Sequence, residues 1–413
     1  MKKPIRKVAV IGAGVAGLVA LKHLKDDFEC TAFEQFDYIG GIWHYTDPSA
    51  RPDTSAPSLR DTPGQPTSPI YANMVTNLPP DLMSIRGYEW SHAETFPHHI
   101  HVLQYIHSFA QHYGVHAHIV LNTVVTDVRY DEQRDAWIVK RTGKGAEHVE
   151  AFDAIVVANG HYNVPCIGDV PTDAFTGRVV HSRDYNHPNE YEGHVVVVVG
   201  AGPSGLDIAT ELSKHTCTYL SVRDPTAVST LIGTCRVKVV PYVTTIMNRT
   251  VTFADGTSID VDVVLLATGY LYSYPFLDGL EDLVTDGRSV RGLYKYLFYI
   301  KKPTLVFLGL PMKIEPFTII DYQCQAIKRV FTGEASLPSE EDMITYEVES
   351  ARRRGVDLGS RQYMVFNPLR AQVDYHMSLV EEFGGPDVEN PEGRIDRREM
   401  VLELKRVHSQ KLY

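Results

Sequence analysis

Residues 7–17 read Lys7-Val-Ala-Val-Ile11-Gly12-Ala-Gly14-Val-Ala-Gly17, an apolar strand that runs straight into a glycine turn. Leu18 to Leu24 follow with helical spacing and Cys30 to Glu34 is apolar again, which completes a strand, turn, helix, strand unit. Each glycine meets a separate need. The first lets the chain turn sharply out of the strand, the second lets the backbone approach a pyrophosphate, and the third lets helix and strand pack closely. The helix start then offers free N–H groups and a positive dipole end to phosphate. Glu34 closes the second strand, where a carboxylate can accept from ribose hydroxyls. A lone G-x-G-x-x-G carries little weight. With strand, helix and acidic residue all in place, it predicts a dinucleotide site at Gly12, Gly14, Gly17 and Glu34.

The pattern then restarts. His194 to Val199 leads into Gly200-Ala-Gly202-Pro-Ser204-Gly205, followed by a helix and the strand Thr218 to Arg223. Counted from the last glycine of each turn, the position of Glu34 falls here at Val222, beside Arg223. An arginine at this point can hold a 2′-phosphate, which favours NADPH over NADH; Asp224 next to it would suit a free ribose. An acidic site followed by an arginine site points to FAD in the first unit and NADPH in the second. Flavoenzymes that reduce disulfides need a cysteine pair, and the five cysteines of this chain contain no C-x-x-C. Electrons leaving the flavin need another acceptor, and oxygen is the obvious one.

The rest of the chain sets limits. Its 413 residues are 44% hydrophobic, enough for two to three globular domains. A net charge of −11 argues against a nucleic-acid partner. The longest apolar stretches fall far short of a membrane span, and the N-terminus has no signal-peptide pattern, so the expectation is a cytoplasmic protein without a membrane anchor. His99 to Tyr113 reads as a helix. Val120 to Tyr130, Ala136 to Arg141, Asp153 to Ala158 and Asp262 to Ala267 read as strands. The proline-rich stretch 47–69 reads as a loop, and with 225–250 it is a candidate for substrate specificity. Many histidines crowd 92–118, and His112 and His116 have helical i, i+4 spacing. Without H-E-x-x-H a solvated helix face explains them, and no metal is expected.

Several further motifs carry a family resemblance. Phe175-Thr-Gly177-Arg-Val-Val-His181-Ser-Arg-Asp-Tyr185 resembles F-x-G-x-x-x-H-x-x-x-[YF], the identifying stretch of flavin-containing monooxygenases, and stands just before the second glycine turn as it does there. Gly40-Gly41-Ile-Trp43 resembles the family's G-G-x-W element, Thr76-Asn77-Leu78-Pro79 its T-N-x-P element, and Ala267-Thr268-Gly-Tyr270 its A-T-G-Y linker. Gln323 falls at the family's glutamine ahead of the x-x-L-P-S stretch, here Leu337-Pro338-Ser339. The overall texture is most similar to the insect branch, which includes pyrrolizidine-alkaloid N-oxygenases.

The resemblance implies a definite chemistry. NADPH reduces FAD, oxygen adds at flavin C4a to form a hydroperoxide, and a soft nucleophile such as a tertiary amine or a sulfide takes the distal oxygen. It implies that Asn77 acts near the flavin and nicotinamide. Gly41, Trp43 and Gln323 would touch the flavin nucleotide; Gly200, Gly202, Ser204, Gly205, Arg223 and Thr268 would touch NADPH. His181 would be mainly structural, linking the two nucleotide units. The resemblance also makes a homodimer or higher oligomer the expectation.

The expected fold is α/β, with two doubly wound, Rossmann-like domains. The NADPH domain, 166–271, is inserted into a larger FAD domain formed by 1–165 and 272–413, and the active site lies in the cleft between them. Two rivals stay open. Baeyer–Villiger oxygenases share the cofactors, though their fingerprint ends in Trp where this chain has Tyr185. A sensor that binds both nucleotides without turnover is the other.

Overall fold

The computed structural model describes residues 3–47, 68–232, 236–277, 279–280, 283–366 and 370–386, with scattered positions between 393 and 400. Most of the 47–69 loop and the chain beyond 400 lie outside the described residues.

The strand Lys7–Ile11 lies in the interior of a seven-stranded sheet. It pairs in parallel with Glu29–Phe33 on one side and Ala154–Val157 on the other, and Ile119–Val120 and Leu305–Phe307 extend the parallel run outward. Leu293–Tyr294 and Phe298–Tyr299 add an antiparallel edge. Val8, Ala9 and Val10 are fully buried, as near-continuous apolar runs must be when helices cover both faces. Helix Val15–Leu24 returns the chain between the first two strands.

A second, five-stranded sheet is parallel throughout, in the order Lys238–Val240, Cys217–Ser221, Val195–Val199, Val263–Leu266, Arg178–His181. Helix Pro203–Leu212 follows its central strand. In each unit a three-stranded antiparallel meander leads into the parallel strand beside the one that enters the glycine turn, Ala154–Val157 in the first and Val263–Leu266 in the second. The meander strands are Thr123–Asp131, Ala136–Gly143 and Ala146–Phe152 in the first, and Val243–Met247, Thr250–Phe253 and Ser258–Asp260 in the second. The chain is thus one plan used twice, with strands of the larger sheet drawn from both sides of the smaller.

The C-terminal third is fastened to the first unit. Helix Pro316–Thr332 packs against Val15–Leu24, where buried Asp321 meets Lys22 Nζ at 3.0 Å and His23 Nε2 at 2.7 Å. Ser339 of the Leu-Pro-Ser stretch caps helix Glu340–Arg353, its Oγ accepting from Asp342 N. No helix among the described residues is long and apolar enough to cross a membrane.

One sequence expectation needs correcting. His112 and His116 do not share a helix face, because the helix His99–His112 ends and Gly114 takes a left-handed conformation, φ 62°, before a separate short turn.

Candidate functional site

The two glycine turns are built alike. Gly12 (φ 102°) and Gly200 (φ 110°) leave their strands in a conformation that side chains rarely adopt. A Cβ on Gly12 would lie 2.6 Å from the Ala158 carbonyl oxygen, and one on Gly200 2.5 Å from that of Ala267. A Cβ on Gly17 or Gly205 would lie 2.0 Å from the carbonyl oxygen of Gly12 or Gly200, so helix and strand pack too closely for any side chain. The middle glycines differ. A Cβ on Gly14 would have only Gly41 near it, at 3.5 Å, and one on Gly202 would meet nothing within 4 Å. These positions face open space. Neither helix has a side-chain N-cap, so the first N–H groups stay available to phosphate.

Strand register places the residues that would face each ribose. Gly12 N donates to Phe33 O and Gly200 N to Ser221 O, so Glu34 and Val222 hold equivalent places and Arg223 lies one residue further on. Glu34 is buried. Its carboxylate accepts from Ala13 N at 2.7 Å and Phe36 N at 3.1 Å, and burial raises its pKa against the pull of those bonds. Arg223 is exposed, with its guanidinium 5.7 Å from the Tyr242 ring centre. Asp224 also lines the cleft, and its Oδ1 accepts from Ala227 N at 3.1 Å, at the start of the next helix.

Both turns open onto one cleft of about 1070 Å³, lined also by Glu34, Gly41, Trp43, Asn77, Ser204, Arg223 and Thr268. Asn77 is exposed there, on a segment held from behind: Thr76 N donates to Pro97 O, and Thr76 Oγ1 to Leu78 O at 2.7 Å. The neighbouring wall includes Tyr71, Met74, Val75 and Leu78. Of the 225–250 segment, Ala227, Val228 and Tyr242 reach the cleft, alongside Arg223.

Two expected site residues stand elsewhere. Gly17 is buried behind the turn in its packing role. Gln323, expected at the flavin nucleotide, is fully buried outside the cleft wall. Its side-chain oxygen accepts from Gly309 N at 2.9 Å and its amide donates to Tyr375 OH at 3.0 Å. Gly309 lines the cleft, so Gln323 shapes the wall from one layer back.

Of the fingerprint stretch only Ser182 lines the cleft, and the residues that define the motif are packed. Phe175 packs over Gly177, where a Cβ would sit 2.4 Å from its ring. Tyr185 is fully buried and donates to Glu211 Oε2 at 2.6 Å, on the helix of the second turn. His181 joins Arg183 N and Gly269 O. Cleft residues missed from the sequence are Lys313, Arg361 and His161, none of which stands in a motif read there. His92, Glu94 and His101 place three possible ligand atoms within 4.8 Å of one another, away from the cleft. There His92 Nδ1 accepts from Glu94 N and His101 Nδ1 bonds Gln104 Oε1.

The donor set fits two dinucleotides: two uncapped helix starts behind open glycines, an acid at one strand end and an arginine at the other. Comparison with known proteins agrees. The family profile described as flavin-binding monooxygenase-like matches residues 5–230 and 221–381. The Arabidopsis thaliana protein named flavin-containing monooxygenase FMO GS-OX-like 7 is 30% identical over 422 residues, covering 98% of this chain and 89% of its own. S-allyl-L-cysteine S-oxygenase from Allium sativum superposes with a TM-score of 0.84 at 30% identity, covering 98% of this chain and 99% of that one. Tmm from Pelagibacter sp. strain HTCC7211 shares the fold, with a TM-score of 0.77 at 23% identity over 98% of this chain and 90% of that one.

Proposed function

The chain belongs to the flavin-binding monooxygenase-like family, and on that premise we propose that it uses NADPH and O2 to oxygenate a small soft nucleophile, a thioether sulfur first and a tertiary-amine nitrogen second. The observation behind this reading is the single cleft onto which both glycine turns and Asn77 open. The similarity to a plant S-oxygenase over nearly the whole chain favours sulfur over the alkaloid nitrogen that sequence texture alone points to.

Bound flavin supplies the redox chemistry, passing electrons from NADPH to oxygen. The protein does the holding. The Gly12–Gly17 turn takes the FAD diphosphate at the start of helix Val15–Leu24, and Glu34 keeps lone pairs for a ribose beyond those bonded to Ala13 and Phe36. The Gly200–Gly205 turn with Ser204 and Thr268 takes NADPH, and Arg223 its 2′-phosphate. Asn77 offers an amide donor where charge develops on oxygen. The apolar wall of Tyr71, Met74 and Val75 receives a lipophilic substrate and limits water. On this reading residues 1–165 and 272–413 form the FAD domain and 166–271 the NADPH domain.

The test is a substrate panel on the FAD-loaded protein, with NADPH consumption and product followed together. The reading expects an S-alkyl cysteine to give sulfoxide with higher kcat/KM than tertiary amines give N-oxide. Amine oxygenation alone would move the assignment to nitrogen, lactone from a ketone would favour the Baeyer–Villiger rival, and no turnover with any of them would leave the sensor.

A further inference from the structure

Arg361 stands in the cleft without a role in nucleotide binding or oxygen transfer as proposed so far. It opens a short turn, Arg361–Met364, whose Tyr363 and Met364 are buried. Arg354 Nη1 and Nη2 hold that turn through Tyr363 O at 2.9 Å and Gln362 O at 3.0 Å, and Met312 N donates to Met364 O at 2.7 Å. The base of the side chain is therefore fixed.

Its guanidinium reaches the point where the chain leaves the second sheet. Nη1 donates to Thr268 O at 3.1 Å, and a Cβ on Gly269 (φ 86°) would lie 2.3 Å from Nη2. Thr268 in turn borders the second glycine turn, since a Cβ on Gly200 would lie 3.8 Å from Thr268 N. Among the described residues no carboxylate pairs with Arg361, and one bond of its five-donor fork is in use. His161 brings no compensating charge: burial, then Arg361 itself, push its pKa down to about 4.

A half-buried, unneutralised guanidinium in the same cleft as the uncapped start of helix Pro203–Leu212 suits a diphosphate, which it can grip bidentately while the helix N–H groups hold the other side. Resting on the NADPH reading, we infer that Arg361 binds the diphosphate of the pyridine nucleotide, so that the C-terminal third of the chain clamps a nucleotide held mainly by the second unit.

The test is calorimetric titration of the FAD-loaded protein with NADP+ and with adenosine 2′-monophosphate, which keeps the 2′-phosphate but has neither phosphate of the diphosphate. Arg361→Ala is expected to weaken NADP+ by about tenfold to a hundredfold and leave the monophosphate unchanged, with Arg361→Lys recovering part of the loss. Gly269→Ala, which displaces the guanidinium, is expected to reproduce the effect. Unchanged NADP+ affinity overturns the inference, and a raised thioether KM beside it would hand Arg361 to a substrate anion instead. Equal weakening of both ligands would reduce Arg361 to a strut under Thr268. Failure of the parent protein to bind NADP+ would overturn the NADPH reading itself, and this inference with it.

Discussion

His181 Nε2 lies 3.0 Å from the carbonyl oxygen of Gly269, joining the end of one parallel strand to the segment by which the chain leaves the second sheet. Its Nδ1 accepts from Arg183 N at 3.1 Å, so the proton sits on Nε2 and the ring is a neutral bridge.

That neutrality has a pH consequence. Burial lowers the pKa of His181 from 6.5 to about 4, and burial does the same to His99 and His161. An unfolded chain takes up these protons as pH falls below 6.5, while the folded chain resists until about pH 4. Stability is therefore complete above pH 6.5 and is lost as pH falls through that window. Thermal melting between pH 7 and 5 should show a steep fall, and His181→Gln should flatten it, each such histidine accounting for about 2 kcal/mol at pH 5. An unchanged slope in the variant would mean that His181 titrates normally in the folded protein.

Gly14→Val should give a colourless protein. The added side chain would enter the space between Gly14 and Gly41, whose backbones already approach closely, and would block the helix start that receives the diphosphate. Absorbance of the purified variant near the flavin bands checks this; full FAD loading would remove the first turn from the flavin site.

If Arg223 makes the proposed charged bond to the 2′-phosphate, Arg223→Ala should raise KM for NADPH by about tenfold to a hundredfold and leave that for NADH nearly unchanged. Asp224 beside it, with Oδ1 bonded to Ala227 N, is an anion and cannot hold the phosphate in its place. Steady-state rates with both coenzymes decide it, and equal effects would show that Arg223 does not read the phosphate.

If Asn77 is the proposed donor where charge develops, Asn77→Ala should still oxidise NADPH but cut the fraction ending as oxygenated product by about tenfold, with H2O2 in its place. Product and peroxide measured in one reaction check the coupling. A variant as well coupled as its parent would take Asn77 out of the chemistry.

Why the glycine turns could be read from sequence is plain in the structure: at Gly17 and Gly205 no side chain fits, so spacing alone announces the geometry. The core strands were legible for a similar reason, because both their faces are covered and the sequence becomes uniformly apolar. The strand Ala146–Phe152 left no such trace, as most of its residues are exposed. Gln323 shows a different limit. Its motif marked it for the flavin nucleotide, but helix Pro316–Thr332 is buried there on nearly every side, and only the packed structure reveals that the amide turns to Gly309 and Tyr375. Arg361 was invisible because its partner Thr268 is far away in sequence and the bond uses a backbone carbonyl, which leaves no residue-type signal.

If one cleft brings NADPH, flavin and a soft nucleophile together for oxygen transfer, the transferred atom must come from O2 and must end on the substrate. Turnover of a thioether by the FAD-loaded protein with NADPH under 18O2, followed by mass spectrometry of the product, traces that atom. The expected product is a sulfoxide carrying one 18O atom for each NADPH consumed. NADPH oxidation that yields only labelled peroxide, with the thioether recovered unchanged, would contradict oxygen transfer in this cleft.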